Sequence, residues 1–173
     1  MKIIIIGNMG SGKSTLAKKV QGVTWLPLLQ LDSLWHSTDY SAKAKQWFID
    51  QQRLFMKQNN EWIIEGNYEG SLKQRITNAN LIVWLKVAKT TAVFRVIRRS
   101  IRFRKNRQYR SEMPNSFSEH FDREYLEFLK SIWSYNDDSF CNLIQKYKSN
   151  SCEVIVIKTA KEKRMLLSQL NKH

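Results

Sequence analysis

The sequence is short of the residues that mark secreted, metal-binding and membrane proteins. Its two cysteines, Cys141 and Cys152, form no CxxC or histidine-associated spacing, so we expect reduced thiols rather than a disulfide or a cysteine metal site. No apolar run reaches the roughly 18 to 20 residues of a membrane-spanning helix. Gly7 ends the apolar start of the chain too early for a signal peptide. We therefore expect a cytoplasmic protein that does not associate with membranes.

Acidic residues are missing from one long segment. Between Lys86 and Arg110 there are ten lysines or arginines and no aspartate or glutamate. The whole chain has 29 basic and 15 acidic residues, so this segment accounts for most of its formal net charge of +14. Such a local concentration of positive charge predicts an anionic partner, either nucleotide phosphates or nucleic acid.

Apolar runs and helical periodicity alternate along the chain. Strand patterns cover residues 2–6, 62–64, 81–87 and 153–157, with a weaker one at 25–31 because of Pro27. Helical patterns cover residues 14–20, 42–57, 90–104 and 161–170, and one or two helices within 116–148. This alternation predicts one α/β domain over residues 1–173, with a parallel sheet between two helical layers. Ligands of such folds bind at the carboxyl ends of the strands.

Glycine is scarce, but three of the six glycines lie in one short segment after the first predicted strand. The sequence from Gly7 to Ser14 fits the pattern GxxxxGK[ST] at every fixed position. We call this segment the phosphate loop; its residues are Gly7, Asn8, Met9, Gly10, Ser11, Gly12, Lys13 and Ser14. Glycines let the backbone N–H groups close around phosphates, Lys13 adds a positive charge, and the Ser14 hydroxyl is a magnesium ligand. Thr15 is placed to approach the α-phosphate, so we predict an ATP and Mg²⁺ site.

A second cationic feature is a helical arginine stripe. Arg95, Arg98, Arg99 and Arg102 follow i, i+3, i+4 and i+7 spacing, which places them on one helix face. The other face, which includes Val96 and Ile101, is expected to pack on the sheet. The stripe fits a phosphate clamp best, although a solvated basic face and a nucleic-acid surface remain alternatives. The charge continues through Arg107 and Arg110, which predicts a basic lid over residues 98–117.

Carboxylates follow two of the predicted strands. Asp32 comes after the second strand and Glu65 after the third, so both should lie beside the phosphate loop. We expect Glu65 to hold magnesium through water, and Asp32 to orient the acceptor or remove its proton. Gly66 and Asn67 would allow the acceptor to approach the backbone, and Arg75 would offer a further anion contact. Acids at strand ends are also common as plain turn residues, and no histidine is given a catalytic role.

These motifs resemble those of the adenylate-kinase-like P-loop kinases over nearly the full length of the chain. The resemblance implies a P-loop fold with five parallel strands in the order 2-3-1-4-5. It also implies that Glu65 is the magnesium-associated carboxylate, that Arg95 stacks on adenine, and that Arg99 contacts phosphate. Thr159, in the loop after the last strand, would touch the adenine edge. Trp35 and Glu69 stand where that family commonly has arginines for a monophosphate, which disfavours AMP as the acceptor.

Four segments also resemble the bacterial DNA topology modulation proteins, a branch of these kinases. They are residues 31–35, 62–68, 95–99 and 127–133, which combine aromatic residues and glycines at fixed places. This resemblance implies an influence on DNA supercoiling and gives no reaction.

The sequence therefore leads to one main hypothesis and two alternatives. The main hypothesis is a kinase that transfers the γ-phosphoryl group of ATP to a small-molecule or nucleotide acceptor. Its catalytic residues would be Lys13, Asp32, Arg99, Arg102 and Arg107. The alternatives are a nucleotide-regulated DNA-binding protein without turnover, whose basic segment 86–110 contacts the duplex, and a regulatory nucleotide binder. The sequence leaves the oligomeric state and the acceptor open.

Overall fold

A computed structural model describes residues 1–106, 108 and 121–171 of the chain. Five parallel strands form one sheet in the order β2-β3-β1-β4-β5. The strands are β1 (Lys2–Gly7), β2 (Leu28–Gln30), β3 (Trp62–Glu65), β4 (Leu81–Leu85) and β5 (Glu153–Ile157). The predicted fold class and strand order are confirmed. Pro27 precedes β2, and its carbonyl oxygen accepts a hydrogen bond from Ile63 N at 2.8 Å. Because the proline lies before the first residue of the strand, its missing N–H does not interrupt the strand pairing.

Helices follow each strand and cover both faces of the sheet. They are α1 (Lys13–Thr24), α2 (Leu31–His36), α3 (Ala42–Gln58), α4 (Glu69–Asn78), α5 (Lys89–Lys105), α6 (Arg123–Ser134), α7 (Asp138–Tyr147) and α8 (Ala160–Leu170). The sequence pattern missed α2 and α4, and it joined the start of α2 to the strand before it. None of the described helices is long and apolar enough to cross a lipid bilayer.

Strand β1 lies at the centre of the sheet and is buried on both of its faces. Ile3, Ile4, Ile5 and Ile6 are all fully buried, and alternate residues point to opposite faces. Ile4 and Ile6 belong to a core with side chains of α3, α4 and α7. Ile3 and Ile5 belong to a second core with side chains of α1 and α8. This arrangement is the predicted three-layer sandwich, and the carboxyl end of β1 leads directly into the phosphate loop.

The packing of α5 differs from the sequence prediction. Its buried residues are Ala92, Val96, Ser100 and Phe103, whereas Ile101 is exposed. Ala92 and Val96 form a small core with Ile132 of α6 rather than with the sheet. The prediction for Ile101 was wrong because it assumed that the apolar face of α5 packs on the sheet. Part of that face packs on α6 instead.

The phosphate loop approaches α5 so closely that a side chain would not fit at Gly10. Gly10 has φ +75, and a Cβ atom there would lie 2.3 Å from the carbonyl oxygen of Ala92. Gly22 in α1 has no atom within 4 Å of the same position. The two glycines thus form a matched pair that separates a required glycine from a replaceable one.

We expect Gly10→Ala to lower the free energy of unfolding by about 1 to 3 kcal/mol and to weaken nucleotide binding, because the loop must shift away from α5. Gly22→Ala should be neutral or stabilising by up to about 1 kcal/mol, since alanine is the better helix former. Urea unfolding of both variants measures the difference. Equal stability of the two variants would show that the close approach does not hold the loop.

Candidate active site

A cavity of about 1220 Å³ opens at the carboxyl ends of the strands. Its lining includes Met9, Gly10, Gly12, Lys13, Ser14, Thr15, Asp32, Asn67, Arg95, Arg98, Arg99 and Arg102. The structure thus brings the phosphate loop, one predicted carboxylate and the whole arginine stripe into one space. These residues come from four separate segments of the chain, which the parallel strands bring to the same edge of the sheet.

The phosphate loop is held by hydrogen bonds on several sides. The N–H of Gly7 donates to Asn67 Oδ1 at 3.1 Å, and buried Asn8 donates through Nδ2 to the carbonyl of Ile132 in α6 at 3.2 Å. Within the loop, Ser11 N donates to Asn8 O at 3.1 Å. Lys13 Nζ donates to the same carbonyl at 3.3 Å. The loop is therefore shaped by its surroundings before any anion reaches it.

Two cations from different helices meet at one loop carbonyl. Arg95 donates to Ser11 O at 3.4 Å, and Lys163 of α8 donates to it at 3.2 Å. Burial lowers the pKa of Lys163, and the charges of Arg95 and Lys19 lower it further. Sequence analysis did not single out Lys163, because nothing in a polar stretch of α8 distinguishes it from its neighbours.

Glu65 is buried next to Ser14 at the end of β3. Only 1% of its surface is exposed, and neither carboxylate oxygen has a hydrogen-bond partner of normal geometry among the described residues. Burial raises the pKa of Glu65, while the charge of Lys13 and the nearby Ser14 and Gln30 side chains act to lower it. The two buried carboxylate oxygens and the neighbouring Ser14 hydroxyl form a set of oxygen ligands that fits a hydrated Mg²⁺ ion.

Asp32 lies in the first turn of α2 and lines the cavity. The Tyr68 hydroxyl interacts with it: burial raises the pKa of Tyr68 well above its ordinary value, and the charge and hydrogen bonding of Asp32 add to this rise. Tyr68 has φ 33, in the left-handed region, which turns its side chain at the start of α4. Sequence analysis did not single out Tyr68 as a site residue, because its contact with Asp32 joins segments that follow two different strands.

Tyr68, the residue that interacts with this carboxylate, packs with two further aromatic rings. The ring centroids of Trp35 and Phe48 are 5.4 Å apart, those of Phe48 and Tyr68 are 4.8 Å apart, and those of Trp35 and Tyr68 are 6.5 Å apart. We call these three residues the aromatic cluster. Its edge-to-face and tilted contacts hold Trp35 at the cavity wall.

The position of Arg75 corrects the sequence-based prediction that this residue contacts the acceptor. It is fully buried and donates to the carbonyl oxygens of Gly66, Asn67 and Tyr68 at 2.7, 2.6 and 3.0 Å. Burial lowers the pKa of Arg75 to about 9, so the guanidinium remains charged at neutral pH. Its hydrogen-bond donors are directed at the turn at 66–68 rather than at the cavity.

Three other predicted residues need separate placement. Gly66 has φ +137 and lies against Leu31, where a Cβ atom would come within 2.8 Å of Leu31 Cβ, so its absence of a side chain serves packing. Thr159 caps α8: its Oγ1 accepts from Glu162 N at 3.2 Å. Arg107 and most of the predicted lid lie outside the described residues, so their roles stay predictions.

We expect Glu65→Gln to stabilise the protein without metal and nucleotide at pH 8, by on the order of 1 kcal/mol, because it removes a buried charge. A raised native pKa means that both states hold the proton below the ordinary value of 4.5, where Glu65 costs nothing. As the pH rises, the unfolded state ionises first and the native protein loses stability. Urea unfolding should therefore show a difference that grows from pH 4 to pH 8. A wild-type protein that is the more stable at pH 8 would contradict this.

We expect Arg75→Ala to lower the free energy of unfolding by about 3 kcal/mol or more, because the carbonyls of the turn at residues 66–68 lose three hydrogen bonds from a fully buried guanidinium. Nucleotide affinity of the folded variant, measured by titration well below its melting temperature, should change much less than its stability does. Arg53→Ala is the matched control, since Arg53 is exposed and bonded to Asp50 and Gln74 at the surface. Unchanged stability with a loss of acceptor use would favour the original acceptor role.

The sequence matches no family model and no curated protein, so the resemblance to DNA topology modulation proteins stays a prediction. Solved structures do match. A protein from Chloroflexus aurantiacus, provisionally assigned as a kinase, has a TM-score of 0.60 at 13% identity, over 99% of this chain and 97% of that one. Shikimate kinase from Acinetobacter baumannii in complex with shikimate has 0.55 at 10%, over 98% and 89%. Deoxyadenosine kinase from M. mycoides with bound dATP has 0.52 at 16%, over 99% and 99%. The chain therefore has the fold of the P-loop kinases.

Proposed function

We propose that this protein is a phosphotransferase that moves the γ-phosphoryl group of ATP to a small-molecule or nucleotide acceptor. The observation that carries the proposal is the shared cavity: the phosphate loop, Asp32 and the arginine stripe all line it. A phosphate loop alone would fit any nucleotide-binding protein. A carboxylate facing the same space adds a group that can receive the proton of an attacking hydroxyl.

The donor would bind on the loop side. Backbone N–H groups of the phosphate loop and the N-terminus of α1 would face the phosphates, since Gly12 caps that helix in the left-handed conformation without a side chain. Lys13 would leave the Asn8 carbonyl, which it contacts at 3.3 Å, and reach the β- and γ-phosphates. Arg95, already at the loop carbonyl of Ser11, would contact the nucleotide beside it.

Ser14 and Glu65 would hold Mg²⁺, Ser14 through its hydroxyl and Glu65 through bound water. The ion would neutralise part of the phosphate charge and align the phosphates for transfer. In the protein, the Ser14 and Glu65 side chains are already neighbours, and the pull of Lys13 on the carboxylate favours its ionised form. A buried carboxylate without a partner is energetically unfavourable, so a bound cation would stabilise it.

Asp32 and the arginines would act on the reacting groups. Asp32 would orient the acceptor hydroxyl and take its proton, with the Tyr68 phenol fixing the carboxylate on its other side. Arg99 and Arg102 line the cavity and would stabilise charge that spreads over the transferring group. Arg107 would join them from the lid, as the sequence predicts.

The geometry favours this proposal over the nucleic-acid alternative. Four arginines of the basic segment line a concave cavity that they share with the phosphate loop, which suits compact phosphates better than an extended duplex. Lys86, at the start of the segment, pairs with Asp137 at 2.9 Å and lies over the Trp84 ring. Less of the segment is therefore free to follow a DNA backbone than its charge suggests.

We expect Lys13→Ala to reduce acceptor-dependent ADP release at least about 100-fold, because the transition-state charge loses its nearest cation. The measurement is ADP formation with Mg²⁺ across a panel of nucleosides, nucleotides and small hydroxyl compounds. Lys57→Ala is the control, since Lys57 is an exposed lysine at the end of α3, away from the cavity lining.

The outcome that contradicts the proposal is specific. Tight ATP binding by the wild type without any acceptor-dependent turnover would leave a nucleotide-binding protein and not a kinase. DNA affinity that changes with ATP and falls steeply with salt would then favour the switch hypothesis. Normal turnover in Lys13→Ala would remove the phosphate loop from the mechanism.

A further inference from the structure

From the distribution of charge in the cavity we infer that the acceptor is an uncharged hydroxyl compound with an aromatic ring, of the chemical class of a nucleoside, rather than a phosphorylated or carboxylated compound. This inference rests on the proposed function and names the substrate class of its acceptor side. By the acceptor side we mean the wall formed by α2 and the turn at residues 66–68.

The cavity's positive charge is confined to two helices. Among the described residues, every lysine and arginine that lines the cavity belongs to α1 or α5. Those helices follow β1 and β4, whereas Asp32, Trp35 and Tyr68 come from segments that follow β2 and β3, on the other side of β1. The acceptor side therefore presents no lysine or arginine of its own to an anionic ligand.

The buried arginine beside the turn at residues 66–68 is already engaged elsewhere. Arg75 directs its guanidinium at the three carbonyls of the turn, at 2.6 to 3.0 Å, and is fully buried. Releasing it toward a ligand would remove the guanidinium hydrogen bonds to those carbonyls, and only Tyr68 O would keep a donor, Ser71, among the described contacts. His36 shares a 3.0 Å hydrogen bond between its Nδ1 and the Tyr40 hydroxyl. Neither residue is positioned as an anion receptor.

Negative charge and aromatic surface take the place of cations. Asp32 lines the cavity from the acceptor side, whereas Asp122, the N-cap residue of α6, and Glu124 line it from the helix that packs on α5. A phosphate or carboxylate held on the acceptor side would approach the Asp32 carboxylate, and neither α2 nor the turn at residues 66–68 supplies a lysine or arginine to offset that repulsion. An uncharged acceptor avoids this repulsion and leaves Asp32 available for a hydroxyl.

The aromatic residues indicate a ring on the acceptor. Trp35 and Tyr68 from the aromatic cluster, and Tyr125 and Phe128 from α6, line the cavity. The Tyr125 hydroxyl is buried and has no hydrogen-bond partner among the described residues, so a polar edge of the ligand could use it. Rings with polar edges are matched by such surfaces, as in the stacking of bases on aromatic side chains. A polyol has no ring to cover this aromatic surface, which would then stay in contact with water.

The transfer step is balanced with ATP as the other reactant. The acceptor hydroxyl oxygen forms a bond to the γ-phosphorus, and the bond from that phosphorus to the β,γ-bridging oxygen breaks. The electron pair of the broken bond stays on the β-phosphate of ADP. The hydroxyl proton passes to Asp32. A neutral nucleoside supplies this hydroxyl without adding charge to the acceptor side.

The test compares 2′-deoxyadenosine with its 5′-monophosphate. The donor site is first saturated with a non-hydrolysable ATP analogue and Mg²⁺. Neither compound can then bind at the phosphate loop and contribute to the measured affinity. Isothermal titration should then show that the nucleoside binds roughly 100-fold more tightly than the monophosphate. Equal or tighter binding of the monophosphate, or no binding of either compound, would overturn the inference.

Two variant pairs test the surface itself. Trp35→Leu should raise the KM for the nucleoside several-fold, while Trp35→Phe, which keeps a ring in the aromatic cluster, should not. Tyr125→Phe removes only a hydroxyl, so it tests the polar contact with little risk to folding. A selective loss of nucleoside binding in Trp35→Leu supports the inference; equal nucleoside affinity in all of these variants overturns it.

Turnover separates this inference from the proposed function. With ATP, phosphorylation of the nucleoside but not of the monophosphate or of a carboxylated polyol such as shikimate supports both. Preferred phosphorylation of an anionic compound retains the proposed function and overturns the inference. Nucleoside binding on the acceptor side without phosphorylation retains the ligand class and overturns the proposed function.

Discussion

The buried guanidinium of Arg75 fixes the relation between the two halves of the candidate site. It holds the carbonyls of residues 66–68, and this turn presents Asn67 to the N–H of Gly7 and Tyr68 to Asp32. The first contact anchors the start of the phosphate loop, and the second orients the carboxylate. Burying a charged side chain is costly unless its donors find partners. Arg75 gives three hydrogen bonds to this turn, while its Nε has no partner among the described residues. Here the cost is offset by a turn that joins the donor side to the acceptor side.

The same site carries charges that favour ligands over the stability of the free protein. Glu65 is buried, and its oxygens have no hydrogen-bond partner of normal geometry among the described residues, while Lys163 and Arg95 share one carbonyl of the phosphate loop. Burial pushes the pKa of Glu65 up and that of Lys163 down, so each group resists its charged form. Such strain is relieved when a bound ion or anion supplies the missing partner. Under the proposed function, a bound cation would supply the missing partner of Glu65, and a bound phosphate that of Lys163.

Sequence predicted the parts of the site that are contiguous or periodic. The phosphate loop is a run of adjacent residues, and the sheet follows from buried apolar runs between helical segments, so both could be recognised without coordinates. Arg75 and Lys163 could not, because their contacts are set by the folded turn at 66–68 and by the docking of α8. Ile101 was placed wrongly since periodicity gives the face of a helix but not the element that covers it. The short helices α2 and α4 were missed because neither offers enough turns for a clear period.

The strand order explains why the charges of the cavity are separated. β1 lies between β3 and β4, so the segments after β2 and β3 reach one side of the phosphate loop and α5 reaches the other. Positive charge that binds phosphates can therefore be concentrated on α1 and α5 while the acceptor side keeps carboxylate and aromatic groups. The two sides are joined by the Asn67 contact with the N–H of Gly7 and by the neighbouring side chains of Glu65 and Ser14. A fold with this topology can keep one donor site while its acceptor side varies, and under the proposed function the residues of α2 and the turn after β3 would select the acceptor.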